Sequence, residues 1–494
     1  MSSSERLRMG TKLGFGVGAV SDGAIVTAFN AWNFLFYNQV LGLSGTLAGL
    51  AVTISLILDG ISEPLVGSLS DRWRSKLGRR HPFLYAAPIP LAISFYLLYA
   101  PPSGLTGVPL FLWFTAFATL HRQALTIYQV PHLALGAELS NDYHERSIIM
   151  SYTLLFGVVG GAGAAMFGWS WLDHHPGKTM ARENYVGIAA MVSLMSAVAI
   201  FASAHFTRDQ IPRLKAPSTD VPRLSLLQLA REIGDCLSNH NYRNLLLGLF
   251  SLSATFGTLE TLQSHVSLFF WQLPAKTLKI FPLITLPAFI LAFIMTVRLH
   301  RRFDKRLTII GALLLATLAV ATPITLRLLG IFPGPGAKGL VPLLMMFTFL
   351  YYTGFATLTI SVLSALADVA DEHELNTGRR QEGVFYAART FFSKLSTGLG
   401  HVLAGAAIDI IKFPVKAAPG TVPEDVLAQL GFVQGPLAAI PAFIAIIFYA
   451  RYRIDKQRHA EIQRALAERR RPANAAAPGV AGDAAAGSVE PAPI

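Results

Sequence analysis

Charge is scarce in this chain: only 14% of its 494 residues are Asp, Glu, Lys or Arg, where soluble domains carry roughly a quarter. With 52% of the residues hydrophobic, a water-soluble fold is excluded at the outset. Cysteine is scarcer still. The single Cys236 excludes an internal disulfide and any multi-cysteine metal centre. The sequence also lacks an HExxH pair, a Walker loop and an acidic pair beside a substrate-sized loop domain, so no enzyme class and no cofactor is expected. A cleavable leader pattern is missing too. Met1 to Lys12 carries Arg6, Arg8 and Lys12 ahead of a long apolar run with no small-residue cleavage site behind it, which predicts a first membrane span.

What the sequence has in quantity is apolar runs. A helix needs about 20 mainly apolar residues to cross the hydrocarbon. That criterion gives spans near 12–37, 44–69, 82–100, 108–136, 147–172 and 187–206, then near 243–272, 280–299, 307–328, 339–366, 383–411 and 432–452. One core rarely grows past about 250 to 300 residues. The expectation is therefore an all-α membrane protein of twelve transmembrane helices in two six-helix bundles, 1–206 and 243–455, joined by a linker at 207–242 that contains Pro212, Pro217 and Pro222. Residues 456–494 form a tail. Arg451 to Arg471 reads as a basic interfacial helix, and the Ala-, Gly- and Pro-rich stretch from Pro472 has no core-forming pattern and is expected to be disordered.

A net charge of +12 would suit nucleic acid, but its distribution excludes that partner. The basic residues of the N-terminus, Arg72 to Arg80, Arg208 to Arg243, Arg298 to Arg306, Arg379, Arg380 and the tail all fall on one side when spans are counted. Positively charged loops stay in the cytoplasm. Both termini are thus predicted cytoplasmic, in an inner (plasma) membrane, with lipid around the helices and a monomer as the functional unit. The halves echo each other: Gly136-Ala137-Glu138-Leu139 after the fourth span parallels Leu366-Ala367-Asp368-Val369 after the tenth. Repeated halves around a midplane site are the usual build of secondary transporters.

Ionisable groups inside a span cost about 2.5 to 3.5 kcal/mol each on insertion scales, so each is a candidate for function or for an interhelical ion pair. Here they are Asp22, Asp59 and Glu63, His121 and Arg122, Glu260, and Arg389 and Lys394. The spacing of Asp59 and Glu63 puts both carboxylates on one helix face. Two such anions in a low dielectric require a proton, or a cation between them. Ser62 and Thr126 supply hydroxyl oxygens suited to an alkali ion, giving a sodium or proton site. Arg122, Thr126 and Gln129 share one polar face of the fourth span. Four acids (Asp22, Asp59, Glu63, Glu260) against three bases (Arg122, Arg389, Lys394) leave one negative charge in surplus, which suits one bound cation if all are ionised and share a cavity.

Between spans two and three, Gly67, Asp71 and Arg72 lead to Gly78-Arg79-Arg80. The glycine would permit close helix approach, and the aspartate could pair across the bundle to hold one conformational state. This loop, with Lys12-Leu13-Gly14-Phe15-Gly16, Asp59-Gly60-Ile61-Ser62-Glu63-Pro64, Val130-Pro131 and Gly378-Arg379-Arg380-Gln381-Glu382-Gly383, resembles the glycoside-pentoside-hexuronide:cation symporters, the melibiose-carrier branch of the major facilitator superfamily, over roughly residues 12–455. The resemblance implies a cation site at Asp59, Ser62, Glu63 and Thr126, coupling through Lys394, and Na⁺ or H⁺ as the driving ion for symport of a sugar or glycoside-like solute. Asp22, Arg122, Gln129, Glu260 and Arg389 are the expected solute-binding residues. The solute side departs from the family: Gln129 stands where an acid is expected, Thr153 where an arginine is, and Asp22 is displaced by one position. An anionic hexuronide or a lysolipid-like solute is the alternative cargo.

Overall fold

The computed structural model describes residues 7–140, 142–175, 179–214, 231, 234–378 and 382–475. Among them, twelve long helices follow one another: α1 (Met9–Val40), α2 (Gly45–Arg72), α3 (His81–Tyr99), α4 (Gly107–Glu138), α5 (Tyr143–Asp173), α6 (Arg182–Phe206), α7 (His240–Phe270), α8 (Ala275–Arg302), α9 (Lys305–Leu328), α10 (Leu340–Thr377), α11 (Glu382–Ile410) and α12 (Glu424–Ala450). Ten of them are apolar and long enough to cross a membrane by length and composition alone. α4 and α11, with 32 and 29 residues, match them in length and carry much of the chemistry described below.

The helices are inverted relative to those of a soluble bundle. On α8, Leu283, Leu286, Ile290, Phe293 and Val297 recur at intervals of three and four residues, and all are exposed. Such a stripe is stable only against lipid. Polar extensions carry some helices past the predicted span ends. α10 continues to Thr377 instead of stopping near 366, and α12 begins at Glu424, where acidic residues in the first turn complement the helix dipole. α1 and α7, the first helices of the two halves, both end in a π-helical turn, Phe36–Val40 and Val266–Phe270.

A thirteenth helix, α13 (Lys456–Ala475), follows α12. It differs from the expected interfacial helix and runs past Pro472, where the chain was expected to lose order. Its apolar residues Ile462 and Leu466 are buried in the core of the second half, beside α10. His459 lies 3.3 Å from Asp368, and Gln463 donates to Asp371 at 2.6 Å. Residues 476–494 and most of the predicted linker lie outside the described residues.

The two halves meet along α2 against α11 and α1 against α7. The joints at the face opposite the termini are tight. A Cβ on Gly405 of α11 would lie 2.0 Å from the Gly45 carbonyl oxygen of α2, so only glycine permits this approach. One turn on, a Cβ at Gly49 would meet the His401 carbonyl oxygen at 2.3 Å. Asp409, at the end of α11, accepts hydrogen bonds from the N–H groups of Gly45 and Thr46 at 2.7 and 2.8 Å and from the Thr46 hydroxyl at 2.6 Å. An anion at that helix start is favoured by the exposed N–H groups and the dipole. His265 against Asn38 (3.2 Å) and Lys279 against Asp173 (3.0 Å) add further joints at the same face. The largest apolar cluster also crosses between the halves there, through Phe34, Phe269 and Phe413.

Candidate cation and solute site

Sealing one face leaves a cavity of about 190 Å³ between the halves. Its walls are Ile25, Val26, Phe29 and Asn30 of α1, Leu56 of α2, His121, Arg122 and Leu125 of α4, Glu260 of α7, and Thr397 and His401 of α11. Arg122 is fixed from three sides: its Nε donates to the Ser55 hydroxyl at 3.1 Å, its guanidinium stacks 4.8 Å from the Phe29 ring centre, and one terminal nitrogen lies 3.9 Å from Asp59. Glu260 faces the same space from the other half and makes no hydrogen bond or ion pair among the described residues, so its oxygens remain free to accept.

The paired acids lie one helical turn and more toward the terminus-bearing face. Asp59 is buried; its Oδ1 accepts from the Thr126 hydroxyl at 2.5 Å and its Oδ2 from Lys394 Nζ at 2.6 Å. The same Nζ donates to Glu63 Oε1 at 2.6 Å. The two carboxylates therefore do not face each other bare. The ammonium of α11 lies between the carboxylates of α2, where the sequence demanded a proton or a cation, and it bridges the two halves. Gly60 makes room for it, since a Cβ there would lie 3.2 Å from the Phe391 ring and 3.6 Å from the Lys394 chain.

Several expected members fall elsewhere. Ser62 turns its hydroxyl back to the Asp59 carbonyl oxygen at 3.0 Å, the usual local bond of a helical serine, and does not join the carboxylates. Arg389 is not in the cavity. It lines a small void inside the second half with Tyr242, Leu245, Leu249 and Val362, because five residues before Lys394 is nearly half a turn away around the helix. Asp22 and Gln129 lie on the cavity-facing sides of α1 and α4 but beyond its walls, toward the termini. Of the charged residues in that tally only Arg122 and Glu260 are walls of the cavity; Asp59, Glu63 and Lys394 form a group of their own beside it, and Asp22 and Arg389 lie apart, so the count of charges in one shared cavity does not hold. Thr153 bonds its own helix at the Ile149 carbonyl oxygen.

The loop between α2 and α3 works within the first half. Arg80 donates to Asp71 (2.5 Å), Ser70 (2.6 Å) and Glu138 (2.9 Å), and Arg79 pairs with Glu138 at 2.9 Å. Asp71 thus pairs inside its own loop and not across the bundle. Gly78 takes φ +72°, the left-handed turn the loop needs. At Gly67, however, a Cβ would be in ordinary contact, 3.5 Å from Val130, so close approach is not its role. Arg72 bonds Ser68 on its own helix at 2.7 Å. The second half repeats the arrangement: Lys305, at the start of α9, holds Asp368 of α10 at 2.7 Å, as Arg79 and Arg80 hold Glu138 of α4. Arg379, Arg380 and Gln381 of the other motif lie outside the described residues.

Sequence reasoning missed Phe29, Asn30, Ser55, Thr397 and His401. A helical signal was available, since Thr397 and His401 follow Lys394 by three and seven residues, and Phe29 follows Asp22 by seven. Attention to charge alone passed over them.

Comparison with known proteins bears on the fold and the family. An uncharacterised symporter of Synechocystis is 26% identical, with 94% of this chain and 98% of that protein covered. A candidate glycoside/cation symporter of Escherichia coli, YagG, is 24% identical over 96% of this chain and 98% of its own. The inward-open structure of the Escherichia coli xylose transporter XylE superimposes with a TM-score of 0.61 at 15% identity, covering 90% of this chain and 96% of that one. The profile of the family described as MFS/sugar transport protein matches residues 14–456, and the chain belongs to that family.

Proposed function

We propose that this chain is a secondary active transporter that carries a sugar or glycoside-like solute together with a cation, Na⁺ or H⁺, across the cytoplasmic membrane. The observation that carries this reading is the bridge from Lys394 to Asp59 and Glu63. The lysine belongs to one half and the carboxylates to the other. A cation entering between the carboxylates replaces one positive charge by another and releases α11 from α2. Protonation of either carboxylate weakens the same bridge. Binding of the ion therefore alters the contact on which the relative position of the halves depends, and an ion can shift a two-state equilibrium only through such a differential interaction. The name of the Escherichia coli relative supports a glycoside and a cation as the pair moved.

The basic residues Arg79, Arg80, Arg301, Arg302 and Arg306 gather on the terminus-bearing face, which supports a cytoplasmic location for both termini. The sealed face is then external, and the chain is in an inward-facing state. Each chain holds a whole cavity, which supports a monomeric functional unit.

The test is uptake of labelled glycosides into proteoliposomes. A sodium or proton gradient should drive accumulation in the native protein, and Asp59→Asn should leave exchange of solute but no gradient-driven accumulation. Undiminished accumulation by Asp59→Asn would exclude the site.

A further inference from the structure

His401 of α11 is the cavity-lining residue whose proton position the surroundings fix. Its backbone is pressed against Gly49 of α2, which prevents the helix from drawing back. Its Nδ1 lies 2.5 Å from the Thr261 hydroxyl of α7. That hydroxyl carries one proton and is also 2.7 Å from the Gly257 carbonyl oxygen, which can only accept. Both contacts are hydrogen bonds only if the hydroxyl donates to Gly257 and Nδ1–H donates to the hydroxyl. A neutral imidazole has a single N–H, so Nε2 is left as an acceptor with a free lone pair. The ring lines the cavity, whose walls also carry Glu260, another acceptor, and Arg122, a donor.

We propose that His401 Nε2 accepts a hydrogen bond from a hydroxyl of the transported solute and thereby sets which solutes are carried; this rests on the symport reading above. The cavity then recognises a neutral polyhydroxylated solute. Two acceptors, His401 and Glu260, read hydroxyl protons, and Arg122 reads a ring or glycosidic oxygen. A solute carboxylate would set an anion against the two acceptors, His401 Nε2 and Glu260, that line the cavity with Arg122, so an anionic hexuronide is disfavoured. A site built to accept from a hydroxyl discriminates strongly against an analogue that lacks it, because the buried acceptor is left unpaired.

The experiment compares His401→Asn with His401→Gln in proteoliposomes. The probes are the methyl glycosides of glucose, galactose and xylose, and the monodeoxy analogues of whichever is carried. Asparagine keeps a donor where Nδ1 bonds Thr261 and deletes Nε2; glutamine puts an amide oxygen near Nε2 and gives up the Thr261 bond. His401→Asn should raise KM about tenfold with the maximal rate and ion dependence retained, the effect of one lost hydrogen bond left unreplaced. His401→Gln should recover most of the affinity. One deoxy analogue should be carried equally by the native protein and by His401→Asn. A purely structural histidine would give the reverse, a silent asparagine and a damaging glutamine acting on stability and maximal rate, and that result overturns the inference. Native uptake with an unchanged KM in His401→Asn overturns it alone; native protein that accumulates none of these glycosides down a cation gradient overturns the symport reading with it.

Discussion

Replacing Gly405 by alanine should open the sealed face. The added methyl would sit 2.0 Å from the Gly45 carbonyl oxygen, a backbone atom held by α2. An ordinary carbon–oxygen contact is longer by more than 1 Å, so α2 and α11 must part by about that much. Overpacking of this kind costs about 1 to 3 kcal/mol. The strain exists only while the seam is shut, so it falls only on the state with this face closed, the inward-facing one in the orientation proposed above. Each 1.4 kcal/mol is about a tenfold change in an equilibrium, and the ratio of molecules with this face shut to those with it open should fall by about five- to 140-fold. Spin labels at Ser103, after α3, and Ile331, after α9, report the separation of the halves at that face, and the buried Cys236 does not compete for labelling. Gly45→Ala should act alike, its Cβ meeting the Gly405 oxygen at 2.4 Å, whereas Gly311→Ala, which meets nothing within 4 Å, should be silent. An unchanged distance distribution in Gly405→Ala, with Gly45→Ala equally inert, would refute the claim that this contact closes the external face.

Other consequences follow from the same contacts. Thr126→Val removes the hydroxyl that donates to Asp59 and should weaken cation binding by about three- to tenfold, measured by calorimetric titration, without changing the fold. Arg80→Ala removes a buried donor from Ser70, Glu138 and Asp71, of which Glu138 keeps Arg79 and Asp71 is partly exposed, and should cost about 1.5 kcal/mol, read as a lowered Tm in detergent; a Tm within a degree of the native value would contradict the network described. Arg389→Leu should leave solute KM unchanged, since Arg389 lies outside the cavity, and a raised KM would return it to the binding site.

The architecture was legible because membrane helices announce themselves through continuous apolar length, and the acid pair at Asp59 and Glu63 because helical spacing fixes which side chains share a face. Helix ends were less so: α10 continues through Asp368 and Asp371, whose polarity suggested a loop but which are held by Lys305, His459 and Gln463, partners distant in sequence. Span depth likewise put Arg389 and Lys394 at one level, yet rotation about α11 sends them to different places. The lysine between the two acids could not be read from spacing, because it comes from the other half. His401 went unnoticed because its significance lies in a tautomer set by Thr261 and Gly257, a feature of tertiary contact alone.

The central claim, that Lys394 and the driving ion compete for the same two carboxylates, is tested most directly by titrating Na⁺ and H⁺ into the native protein and into Lys394→Met, and following gradient-driven uptake in parallel. With the internal ammonium gone, cation binding should tighten by about tenfold or more, as expected for a strongly paired buried site, while accumulation of solute is lost because the ion no longer acts on α11. Cation affinity equal to or weaker than that of the native protein, with accumulation intact, would contradict it.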